Sequence, residues 1–169
     1  MQLLGSGTIL REALAAAEIL ERDWDVAADV WSVTSFTELR RAGLELERWN
    51  RLNPSAKPRP SWAEQCLGSR TGPVIAATDY VRAVPDLIRT WVPHRYVTLG
   101  TDGFGRSDTR TALRGFFEVD HTSIALAAVS ALADDGTVTR SAVSDFMTRY
   151  GYQLPVTPPW ADSRLGSID

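Results

Sequence analysis

Apolar positions along this chain follow two patterns that alternate. Short runs, "MQLL", "VAADVWSV", "GPVIAATD" and "YVTLG", concentrate apolar residues side by side. Between them lie stretches where apolar residues recur every three or four positions. The first pattern predicts buried strands of a parallel sheet, and the second predicts helices with one inner stripe. After "MQLL" and the turn "GSG", the spacing predicts a helix over 8–24 with Leu10, Ala13, Leu14, Ala17, Leu20 and Trp24 inside. "VAADVWSV" reads as a buried strand. Ser35 opens a second helix, and Glu38 three residues later completes a capping-box pattern. Its inner stripe is Phe36, Leu39, Leu46 and Trp49. "VRAVPDLIRTW" predicts a third helix, in which Pro85 fits only the first turn.

Beyond "YVTLG" the pattern is wholly helical. Ser107 or Asp108 can cap a helix that contains Leu113 and Phe116. Asp120 can cap "HTSIALAAVSALADD", which stops at Gly136, and Thr139 can cap "RSAVSDFMTRY", which stops at Gly151. Residues 53–61, "NPSAKPRPS", carry three prolines and are expected as a surface excursion within the domain. The tail 153–169 is expected to be irregular, so the domain proper covers 1–152. Four strands, each followed by a helix, predict a three-layer α/β/α fold with a parallel sheet of order 2-1-3-4. A topological switch point then lies between strands 1 and 3, where such sheets usually bind ligands.

Composition narrows the classes. A length of 169 residues, 44% hydrophobic and 23% charged, suits one globular domain. The net charge of −3 and the lack of a basic tract argue against nucleic acid and membrane surfaces as partners. Cys66 is the sole cysteine, which excludes an internal disulfide. With no signal-peptide pattern and only short apolar runs, a reducing cytoplasm is the expected location.

Two glycine turns are candidates for chemistry. Gly5-Ser6-Gly7-Thr8, between a strand and a helix, starts like a dinucleotide fingerprint, but Leu10 stands where the third glycine belongs. A structural βα turn is the favoured reading, with a small-anion site as the alternative. The second turn, "TLGTDGFGRSDTR" at 98–110, lacks the lysine of a phosphate-binding loop. His94 and His121 have no neighbours in sequence that suggest a triad or metal site, and the carboxylates are spread over helix faces. The six tryptophans read as core or interface anchors. No catalytic set is visible.

Several stretches together resemble the C-terminal domain of the homodimeric type of bacterial pyruvate dehydrogenase, its decarboxylating component. They are "QLLGSGTILREALAAAEIL", "DVWSVTSFTELRRAGLELERWNRLNP", "ATDY", "YVTLGTDGFGRSDTR" and "FFEVD", in that order. The resemblance implies the transketolase C-terminal fold, a mixed five-stranded sheet whose antiparallel edge strand would precede Met1. It implies thiamine diphosphate and Mg²⁺ as cofactors of upstream domains, oxidative decarboxylation of pyruvate and acetyl transfer to the lipoyl group of a partner acyltransferase. It further implies a homodimer. The Gly-Asp-Gly magnesium motif of thiamine enzymes is not matched: "GTDG" has an inserted threonine, and Asn50 and Asn53 lie upstream of it. No catalytic, cofactor or metal residue of that family falls on a position here.

Two function classes remain open at this level. One is a structural and assembly domain of such a 2-oxo-acid dehydrogenase, with 2-oxobutanoate enzymes and transketolase as related alternatives. The other is a stand-alone small-anion-binding regulatory module. In the first reading the loop Asp102-Gly103-Phe104-Gly105-Arg106 is an interdomain or dimer contact. Asp102 and Arg106 are expected to form an ion pair or to reach a neighbouring domain, and Gly100, Gly103 and Gly105 to supply unusual backbone angles.

Overall fold

A computed structural model describes residues 1–152 and 157–162. The remainder of the expected irregular tail, 153–156 and 163–169, lies outside the described residues. Strands β1 (Gln2–Gly5), β2 (Asp29–Ser32), β3 (Val74–Ala77) and β4 (Tyr96–Leu99) form one sheet in the order β2-β1-β3-β4, all parallel. This is the order the alternation predicts. Leu3 sits beside Val30 on one side and Ile75 on the other, and Ile75 beside Val97.

The sheet is covered on both faces, and alternation along each strand assigns residues to the two cores. Helices α1 (Leu10–Trp24), α6 (His121–Asp134) and α7 (Arg140–Arg149) pack on the face that shows Leu3, Ile75 and Leu99. Helices α2 (Phe36–Leu52), α3 (Trp62–Leu67) and α4 (Ala83–Asp86) pack on the face that shows Leu4, Val74, Ala76 and Tyr96. Helix α5 (Arg110–Phe116) connects β4 to α6. The stretch Arg110–Asp134 is long and apolar enough to cross a membrane by composition, but half of it is buried, and α6 is the central core helix.

Several local expectations need correction. The buried stripe of α1 is Ala13, Ala16, Ile19 and Leu20, while Leu14 is 48% exposed. The helix is turned so that alanines let it approach α6 closely. The run "VAADVWSV" is not fully buried: Asp29 and Ser32 are exposed, because β2 pairs only with β1 and forms a sheet edge. An open edge of this kind is a template for another strand. The third helix is broken. Pro85 is the third residue of the four-residue α4, and the chain continues as a 3₁₀ turn, Arg89–Trp91. A proline has no N–H to extend an α-helical ladder.

The caps also differ. Ser35 accepts the N–H of Glu38, but the Glu38 carboxylate turns to Arg41 instead of closing the box. The complete capping box is in α3, which the pattern does not reveal. There Ser61 accepts from Glu64 N at 3.2 Å and Ser61 N donates to Glu64 Oε2 at 2.6 Å. The prolines before it hide a helix only six residues long. Of the excursion 53–61, residues 53–60 are exposed while Ser61 is buried, and the segment is pinned to α2 by Asn50, whose side-chain amide exchanges two 2.9 Å bonds with the Arg59 backbone. Helix α5 is capped by Thr109, not by Ser107 or Asp108. Asp120 caps α6 as expected, accepting from Ser123 N at 2.8 Å.

Candidate functional site

The carboxyl ends of β1, β3 and β4 bring three loops together, and both glycine turns lie there. The backbone of Ser6 donates to Ala77 O, and its hydroxyl donates to Thr78 Oγ1 at 2.8 Å in a buried pair. Gly7 has φ +56°, and a Cβ added to it would lie 3.3 Å from a carboxylate oxygen of Asp79. The crevice between β1 and β3 is therefore filled by its own side chains. An anion on the amides of Gly7 and Thr8 would also face the negative charge of Asp79. The Gly5-Ser6-Gly7-Thr8 turn has the geometry of a tight βα connection.

The second glycine loop follows β4. Thr101 N donates to Tyr80 O and the Thr101 hydroxyl to Asp79 O, each at 2.9 Å. Asp102 does not pair with Arg106. Its carboxylate accepts from the backbone of Arg82 at 3.2 Å and lies 3.4 Å from that guanidinium. Arg106 instead approaches Asp162 at 3.8 Å and covers the ring of Phe116 at 4.1 Å. Both partners come from other segments, so spacing along the chain does not expose them. Of the three glycines, only Gly103 adopts a positive φ, +120°. A Cβ on it would strike Pro159 O at 2.6 Å, so the loop accepts the segment 157–162 only with glycine there. Gly100 is needed for close approach to Tyr80 O, and Gly105 faces open space.

This end of the molecule carries half of the large exposed apolar side chains among the described residues. Phe104 is 66% exposed, Tyr80 64% and Trp160 50%, and Val81 is also exposed. Arg82 lies over the Trp160 ring at 4.7 Å, which ties the loop after β3 to the tail segment.

The histidines are placed differently from each other. Among the described residues His94 meets the carbonyl of Leu67. His121, at the start of α6, has a partner 109 residues away that no sequence signal announces. Glu12 on α1 accepts from His121 N at 3.0 Å, meets His121 Nδ1 at 2.8 Å and accepts from Arg114 Nη1 at 2.6 Å. Burial pushes the Glu12 carboxyl up, but the His121 bonds and the Arg114 charge together hold it below the usual range. The trio joins α1, α5 and α6.

The switch-point crevice is closed by Ser6, Thr78 and Asp79, and among the described residues no three His, Cys, Asp or Glu side chains gather to hold a metal ion.

The transketolase-like TK C-terminal domain family matches residues 1–120. The chain is 57% identical over 152 residues to the pyruvate dehydrogenase E1 component of Pseudomonas aeruginosa, covering 89% of this chain and 17% of that protein. It is 47% identical over 160 residues to the Escherichia coli protein of the same name, covering 94% of this chain and 18% of the relative. For the Mycobacterium tuberculosis counterpart the identity is 49% over 137 residues, 81% and 15%. The chain thus spans about a sixth of the length of these relatives. With the parallel 2-1-3-4 sheet and a match over most of its length, the chain belongs to the transketolase-like C-terminal domain family.

Proposed function

We propose that this chain is the C-terminal assembly domain of a cytoplasmic, thiamine-diphosphate-dependent pyruvate dehydrogenase. In this reading, upstream domains bind the cofactor and Mg²⁺, decarboxylate pyruvate and pass the acetyl group to a lipoyl-bearing acyltransferase. The chain itself braces those domains and completes a homodimer. The observation that carries the reading is the 57% identity to a pyruvate dehydrogenase E1 component of which this chain corresponds to 17%. The exposed Tyr80, Phe104 and Trp160 at the strand ends support it, since aromatic side chains are the usual anchors of protein interfaces. The loop 102–106 is seated against Arg82 through Asp102 and against Pro159 at Gly103, with Phe104 exposed between them and Arg106.

Two measurements test this. Calorimetric titration of the chain with thiamine diphosphate and Mg²⁺ is expected to give no saturable heat; tight binding would contradict the proposal. Coexpression with the preceding domains of the Pseudomonas relative, as a separate polypeptide, is expected to yield a stable complex that Phe104→Asp dissociates. Failure of the unaltered pair to copurify would sink the assembly role.

A further inference from the structure

A second feature of the strand ends lies beside the loop contacts. Arg106, Arg110 and Arg114 recur at four-residue spacing and all line a cleft of about 340 Å³. That size is within the roughly 300–1,000 Å³ of small-molecule sites. Its floor is apolar, from Ile9, Phe117 and Val119, all buried. Two of the arginines are occupied: Arg114 holds Glu12 at 2.6 Å, and Arg106 faces Asp162 and Phe116. Arg110 is exposed and has no carboxylate within ion-pair distance among the described residues. Asp79, also lining the cleft, is exposed and its carboxylate accepts no hydrogen bond among the described residues. A cleft with a cation and a carboxylate that have no partner among the described residues, over apolar side chains, has a defined chemical complement.

We propose that this cleft binds a small monocarboxylic acid that carries an ammonium or hydroxyl group on a short apolar body. The guanidinium of Arg110 takes the carboxylate, with the charges of Arg106 and Arg114 lining the same cleft. Asp79 accepts a hydrogen bond from the ammonium or hydroxyl and repels a second anionic group. Ile9, Phe117 and Val119 receive the aliphatic part. The cleft borders the filled crevice at Gly5-Ser6-Gly7-Thr8, sharing Thr8 and Asp79 with it, and its binding can be tested on this chain by itself.

The test is a titration of the isolated chain followed by ¹H–¹⁵N NMR, with L-valine, 2-hydroxyisovalerate and isobutyrate as probes. L-valine or 2-hydroxyisovalerate is expected to shift the amides around Thr8, Gly105 and Arg110 saturably, and isobutyrate, which lacks the donor, to bind more weakly. Arg110→Ala is expected to weaken binding about tenfold or more, and Asp79→Asn to reduce the donor-bearing acids to the level of isobutyrate. Both side chains are exposed, so an unchanged melting temperature will show that the variants remain folded. Absence of saturable shifts with all three probes overturns the proposal. So does isobutyrate binding equal to that of the other two, or affinity that Arg110→Ala leaves unchanged.

Discussion

Asp23, at the end of α1, holds Arg149, at the end of α7, at 2.7 Å, although 126 residues separate them. The same carboxylate pairs with Arg22 at 2.6 Å and accepts from the Tyr150 hydroxyl. The hydrogen bond from Arg22, then that from Tyr150, lowers its pKa to about 2. An unfolded aspartate titrates near 3.9. The folded value is the lower one, so the contribution is complete above the unfolded pKa and is lost as pH falls toward 2. The melting temperature of the chain is expected to fall between about pH 5 and pH 2. Asp23→Asn should flatten that part of the profile and lower the melting temperature at pH 7. An unaltered acid limb in thermal denaturation would show that α7 is anchored by its apolar contacts alone.

Gly43 of α2 lies against the indole of Trp91, so close that a Cβ would fall 2.5 Å from a ring carbon. Trp91 is itself buried in the core on that face. Gly43→Ala raises helix propensity but forces the ring or the helix to move. The expected net loss is about 1–3 kcal/mol, the usual cost of overpacking. Urea denaturation measures it, and a stabilised variant would mean that the indole has room to shift.

The two serine caps should differ. Ser61 is buried and closes a reciprocal box with Glu64, whereas Ser35 gives one bond and its Glu38 is engaged by Arg41. Replacement by alanine is expected to cost toward 2 kcal/mol at Ser61 and nearer 0.5 kcal/mol at Ser35, the ends of the range ~0.5–2 for N-caps. Equal losses in chemical denaturation would remove the distinction.

Thr78→Val keeps the shape at the switch point but strands the Ser6 hydroxyl, which donates to Thr78 at 2.8 Å in a buried site. The loss is expected at roughly 1–3 kcal/mol, the penalty of an unsatisfied buried polar group. The double change Ser6→Ala with Thr78→Val should recover much of it, and a double-mutant cycle without coupling would rule out the pair as a closure of the crevice.

Much of this architecture is written locally. The apolar runs mark β1 and β3 because a strand inside a parallel sheet must be apolar on both faces, whereas the edge strand β2 keeps Asp29 and Ser32 exposed. The alternation of strands with helices, together with right-handed crossovers, leaves few orders besides 2-1-3-4. Asp120 announces α6 because capping acts over three residues, a distance that sequence shows directly. Short-range rules fail where competing signals overlap. Pro58 and Pro60 mask α3, and Pro85 divides a stretch whose periodicity suggests one helix.

The site is a different case. The resemblance in "TLGTDGFGRSDTR" and its neighbours points to the family, and the match over residues 1–120 agrees. The partners of the charged residues are not legible there. Asp102 turns to Arg82, Arg106 to Asp162, Glu12 to His121 and Asp23 to Arg149. Hydrophobic periodicity and capping are properties of neighbouring residues and survive in a one-dimensional reading. Ion pairs, the filled crevice and the arginine-lined cleft exist only after the sheet brings loops from distant parts of the chain to the same end. Chain order therefore carries the elements and their order in the sheet, while folding selects which charges meet.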